Sequence, residues 1–163
     1  MRNIENIDTE TLVYVDECGI DEHYHRTHGR ALRGVKIFAD IPGKKFQRTN
    51  IIAGYCGGKV VAPFQYSGST NANLVDGWAE TYLLPSVKRG ATIVFDRASF
   101  HKQNTLFDIV EEANCSLLLL PAYSPDLNPI EHALWANLKN YLRNYSKNFN
   151  LLEDALLDYF RFK

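Results

Sequence analysis

The chain has 163 residues, 45% hydrophobic and 23% charged, which fits one globular domain with a substantial core. A formal net charge of −1 argues against a protein that holds nucleic acid by bulk positive charge. No apolar run approaches membrane-spanning length, and Glu5, Asp8 and Glu10 close behind Met1 break the basic-then-apolar order of a secretory signal, so a cytoplasmic protein is expected. Cys18, Cys56 and Cys115 are odd in number and lack Cys-x-x-Cys spacing. They read as reduced, mostly buried thiols rather than a disulfide frame or a zinc site.

Residues 11–17, Thr-Leu-Val-Tyr-Val-Asp-Glu, predict a buried strand ending in a turn. Side chains alternate along it, so Asp16 and Glu17 face opposite ways. A polar stretch with His23, His25 and His28 follows; as a group these histidines read as loop rather than as a metal cluster. Two strands are expected at 48–56 and 59–66, joined at Gly57-Gly58 by a two-residue turn that needs positive φ. Pro63 places the second of them at a sheet edge. A helix over 71–84 puts Val75, Trp78, Ala79 and Tyr82 on one stripe, with Pro85 helping to end it. Residues 91–95 form an apolar strand running into Asp96, and 103–113 a helix with Leu106, Ile109, Val110 and Ala113 inward. Residues 115–120 predict a second fully buried strand, 130–145 a long helix and 151–160 a final short one.

The charge is unevenly distributed. From Arg26 to Lys59, Arg26, Arg30, Arg33, Lys36, Lys44, Lys45, Arg48 and Lys59 stand against a single acid, Asp40. Such a block suits phosphates along a strand or duplex, and equally a well-solvated loop and hairpin face. A hairpin followed by helix, strand, helix and strand argues for a mixed sheet flanked by helices, with the first strand beside the one ending at Asp96. That arrangement brings Asp16 and Asp96 together.

Three blocks carry a specific resemblance: Val15-Asp16-Glu17-Cys18-Gly19-Ile20, Phe95-Asp96-Arg97-Ala98-Ser99-Phe100-His101-Lys102, and Tyr123-Ser124-Pro125-Asp126-Leu127-Asn128-Pro129-Ile130-Glu131 continuing into Trp135-Ala136-Asn137-Leu138-Lys139. On these, the chain resembles the catalytic domain of mariner-like bacterial insertion-sequence transposases of the Asp-Asp-Glu type. The resemblance implies an α/β, ribonuclease H-like mixed five-stranded sheet flanked by helices, spanning residues 1–163 as one domain without N-terminal helix-turn-helix modules. It implies Asp16, Asp96 and Glu131 as catalytic carboxylates binding two Mg²⁺ ions, with Mn²⁺ able to substitute, for DNA cleavage and strand transfer in cut-and-paste transposition. It also implies DNA as partner, both element ends and target, together with a homodimer and a separately encoded helix-turn-helix subunit. A bacterial, nucleoid-associated setting follows. A catalytically inactive remnant that binds DNA or dimerises is the alternative.

Arg30 and Arg33 fall in a segment resembling the family's basic loop, and with Lys36 and Arg48 they are candidate DNA contacts. Arg97, where the family commonly has asparagine, together with His101, Lys102 and Lys139, completes that set. Each assignment has a plainer alternative. Asp16 and Asp96 each fit an ordinary strand-end carboxylate. For Glu131, Asn128 as N-cap and Pro129 at N1 make a helix start whose third position favours glutamate anyway. Leu134, Trp135 and Leu138 read as core, Asp126 as a structural turn residue, and Lys139 with Arg143 as a solvated helix face.

Overall fold

The computed structural model describes residues 11–21, 48–96, 103–121, 127–145 and 148–161. Its strands are β1 (Leu12–Asp21), β2 (Arg48–Cys56), β3 (Lys59–Ser67), β4 (Thr92–Asp96) and β5 (Ser116–Leu120). They form one five-stranded sheet in the order β3-β2-β1-β4-β5. β1 runs antiparallel to β2, as β2 does to β3, while β4 is parallel to both β1 and β5. This is the expected mixed sheet with its ribonuclease H-like order.

The β2–β3 hairpin turns on Gly57 (φ 54°) and Gly58 (φ 83°), the left-handed values that a tight hairpin requires. β3 lies at the sheet edge, and its pairing with β2 slips between Ile52 and Gly54. The extra residue falls at Ala62-Pro63, so the proline sits where the ladder is already interrupted. Ala62, itself left-handed at φ 49°, turns its carbonyl to accept the Trp78 indole N–H at 2.9 Å.

The helices are α1 (Ala72–Trp78), α2 (Leu84–Ser86), α3 (Gln103–Glu112), α4 (Ala136–Tyr145) and α5 (Leu152–Phe160). Asn71 caps α1, its side chain accepting the Leu74 N–H at 2.9 Å. A π-helical turn, Ala79–Leu83, joins α1 to α2 without a break, and the Leu84 N–H reaches back to the Ala79 carbonyl. Pro85 has no N–H and crowds the carbonyl four residues behind it, which favours the widened turn just before it. The widening changes which side chains face inward. Leu83 is fully buried and Tyr82 is exposed and stacked on Phe64, where a regular stripe would bury Tyr82.

A second π-helical turn, Glu131–Trp135, leads into α4, with the Ala136 N–H donating to the Glu131 carbonyl. The buried positions explain it. Ile130, Leu134, Leu138 and Leu142 recur every fourth residue, longer than the period of about 3.6 in an α-helix. One wide turn absorbs the mismatch and keeps all four on the sheet.

Two cores cover the two sheet faces. Val13, Val15, Ile52, Ile93 and Phe95 pack beneath α1 and α3 through Val75, Trp78, Leu106 and Val110. Cys18, Ile20, Ile51 and Ala53 pack beneath α4 and α5 through Leu134, Trp135, Leu138 and Leu156. Tyr141 on α4 donates its hydroxyl proton to Asp158 on α5, and this bond and burial push its pKa up to about 12.

Three expectations need correction. β1 continues to Asp21, its last residues pairing with β2 alone, because Cys18 and Ile20 find a core of their own. β5 is half-buried, since it forms the other edge of the sheet. Of the three cysteines, all free, only Cys18 is buried. No described helix is long and apolar enough to cross a membrane.

Candidate active site

β1 and β4 lie side by side and parallel, and Val15 and Phe95 are the last residues they pair. Asp16 and Asp96 come next along each strand. Asp16 is therefore not at a strand end, as expected, but in mid-strand, where β1 begins to outrun β4.

Asp16 pairs across to Ala53, which belongs to the core beneath α4. Glu17 pairs to Ile52, which belongs to the opposite core. The two adjacent carboxylates thus address opposite faces, as strand alternation demands. Asp96 follows two residues after Val94, whose cluster with Leu12 and Leu120 touches Tyr14, and Tyr14 also borders the α4 core. Asp16 and Asp96 accordingly share the α4 face.

Glu131 arrives on that face from the helix. Asn128, 4% exposed, accepts the Ile130 N–H on its side-chain oxygen at 3.4 Å, and the Glu131 N–H donates to the Asn128 carbonyl at 3.3 Å. The expected cap is present. The Glu131 side chain nevertheless turns to the sheet and comes close enough to the Asp16 carboxyl to raise its pKa. Four residues on, the indole N–H of Trp135 donates to Asp16 Oδ2 at 2.9 Å. Trp135, read from sequence as core, is core and also a partner of the carboxylate. Nothing in the sequence separates those two roles.

Burial and the charge of Glu131 push the Asp16 pKa up to about 6, against the opposing pull of the Glu17 backbone N–H and the Trp135 indole. Glu17 is pushed up to about 7, first by burial and then by Asp16 and Asp96. Asp96 is therefore close enough to act on Glu17. Among the described residues, no group of three or more His, Cys, Asp or Glu is gathered closely enough to hold a metal ion. The structure brings Glu131 close to Asp16 and sets Asp96 on the same face at the neighbouring strand.

Two of the candidate DNA contacts fall among the described residues. Lys139 is half-buried on α4, and its charge partly offsets the burial that raises the Cys18 pKa. Cys18 also senses Asp16 and Glu131, so Lys139 stands at the border of the carboxylate site. Arg48 lays its guanidinium over Gly19, where a Cβ would meet it at 2.0 Å. The sheet at Gly19 has the close space that this cation fills. Arg30, Arg33, Lys36, Arg97, His101 and Lys102 lie outside the described residues, as do His23, His25, His28 and Asp126.

Comparisons with known proteins agree with this layout. The family model of the DDE superfamily endonucleases matches residues 11–154. No curated protein matches the chain. Among solved structures, the Mos1 transposase paired-end complex with left transposon end is similar at 20% identity and TM-score 0.72, covering 98% of this chain and 50% of that one. The catalytic domain of Mos1 mariner transposase is similar at 18% identity and TM-score 0.63, covering 98% and 74%. The Mos1 mariner paired-end complex with Mn gives 20% identity and TM-score 0.73, covering 98% and 50%. The chain spans about half the length of the paired-end transposase chains it matches.

Proposed function

The chain belongs to the DDE superfamily endonucleases, and from that premise we propose that Asp16, Asp96 and Glu131 hold the divalent cations with which it cuts DNA. One observation carries this reading: the carboxyls of Asp16 and Glu131 come close on the sheet face that Asp96 also addresses. Two acidic groups this close need a proton or a cation between them. An all-oxygen donor set of carboxylates suits Mg²⁺, with Mn²⁺ as its substitute. Mos1 structures carrying Mn and Mg support the same choice.

A bound pair of such ions would activate a water or a 3′-hydroxyl and neutralise charge on the transferring phosphate. The chain's own residues do the positioning. β1 and β4 bring Asp16 and Asp96 to one level of the sheet, and the π turn delivers Glu131 to Asp16. Lys139 adds positive charge at the border, where a DNA phosphate would approach. Arg30, Arg33, Lys36, Arg48, Arg97, His101 and Lys102 complete the proposed DNA-contacting set.

The reaction this site serves is strand cleavage and transfer in cut-and-paste transposition of a bacterial insertion sequence. Its substrates are the element ends and a target duplex, held by a homodimer in the cytoplasm at the nucleoid, with helix-turn-helix end recognition supplied by a separate subunit. The Mos1 complexes with transposon-end DNA support DNA and multimeric assembly as partners. The test is Mg²⁺- or Mn²⁺-dependent nicking of DNA carrying the element ends, with a recognition domain supplied. Asp96→Ala lowers the rate on the order of 10²–10³-fold, the loss typical of removing one group that stabilises transferring charge. No metal-dependent nicking above background by either protein, even with the recognition domain supplied, would leave an inactive, DNA-binding remnant as the reading.

A further inference from the structure

We infer that Trp135 is a positioning residue of this site: its indole N–H fixes the plane of the Asp16 carboxylate with and without a cation bound. The inference rests on the metal-binding reading of Asp16. A buried indole must donate its proton somewhere. Trp78 meets that need with a backbone carbonyl, Ala62 O, as a purely structural tryptophan does. Trp135 instead donates to a side-chain carboxylate, Asp16 Oδ2, at 2.9 Å.

Three features make this bond an orienting one. The Trp135 ring is 1% exposed and packed in the cluster with Ile130, Leu134, Leu138 and Ala53, so its N–H direction is set by the core. Indole is a donor only and does not titrate, so it neither competes for a cation nor lets go as pH changes. Glu131 and Trp135 are the first and last residues of one π-helical turn, and both reach Asp16. A cation held by Asp16 and Glu131 would supply the positive charge that their neighbouring carboxyls lack. The Trp135 bond would hold the Asp16 orientation with and without it. Partners that orient a ligand in this way typically contribute about 10–100-fold in metal affinity.

The decisive variant replaces Trp135 with β-(3-benzothienyl)alanine, which keeps the ring shape and puts sulfur where the N–H was. Trp135→Phe serves as a second, genetically encoded variant. Mn²⁺ binding to the protein is followed by loss of the free-ion electron paramagnetic resonance signal, beside thermal unfolding and the metal dependence of nicking. The isostere binds Mn²⁺ about 10–100-fold more weakly, unfolds near the wild-type temperature, and recovers nicking at raised metal concentration. Wild-type Mn²⁺ affinity in the isostere, or a loss of thermal stability with affinity unchanged, overturns the inference and leaves the metal site standing. An Asp16→Asn control separates the two readings: if wild-type binding does not depend on Asp16, the metal site falls and this inference falls with it.

Discussion

Metal-free protein carrying Asp16→Asn unfolds at a higher temperature than wild type at pH 8, and the difference disappears below about pH 4. The folded Asp16 titrates at about 6 against an ordinary 3.8, because burial and Glu131 disfavour its charge. A carboxyl that binds its proton more tightly in the folded state supports folding while protonated. That support is complete below about pH 4 and is lost as pH rises through 6. Glu17, at about 7, extends the loss to neutral pH. At about 1.4 kcal/mol per pH unit the Asp16 share approaches 3 kcal/mol, and its partial contact with water reduces this to roughly 2. Asparagine has nearly the same shape and accepts the Trp135 N–H, so it removes the charge without leaving a hole. The gain corresponds to about 4–8 °C for a domain of this size. Cleavage by the same variant is lost, a stability–activity trade common at sites built from opposed charges. Differential scanning calorimetry from pH 4 to pH 8 checks the thermal part; parallel curves for the two proteins would refute it.

Leu134→Ala costs about 2–5 kcal/mol, the usual range for emptying a closed leucine site. Leu134 is 1% exposed within the π turn that carries Glu131, and its carbonyl accepts the Tyr159 hydroxyl at 3.5 Å. The cavity would open in the core that seats the π turn carrying Glu131 and Trp135, so metal-dependent nicking falls with stability. Leu157→Ala on α5 is the comparison, because Leu157 is 70% exposed and its truncation stays within about 0.5 kcal/mol. Urea denaturation of both variants measures the contrast.

Much of this architecture is written in local patterns. Gly57-Gly58 and Pro63 specify a hairpin and an edge, and both are found. The apolar run ending at Asp96 and the alternation that separates Asp16 from Glu17 are both found, and Asp16 and Asp96 follow the last residues that the neighbouring strands β1 and β4 pair with each other. The misreadings come from effects beyond local pattern. Tyr82 and Leu83 exchange roles because a π turn shifts the helical phase, and a stripe drawn at the α-helical period has no way to include it. β1 is longer than its β-rich run because Cys18, Gly19 and Ile20 are held by β2. Glu131 satisfies the composition of a helix cap and reaches Asp16 as well, so residue type alone underdetermines its role. The bond from Trp135 to Asp16 spans 119 positions, which no spacing rule foresees.

The chain holds only two tryptophans, and they lie in opposite cores. Replacing Trp78 with phenylalanine leaves a single indole emitter, hydrogen-bonded to the carboxylate at the centre of the proposed chemistry. Paramagnetic Mn²⁺ arriving there quenches its fluorescence, so the molecule carries its own unlabelled optical reporter of occupancy.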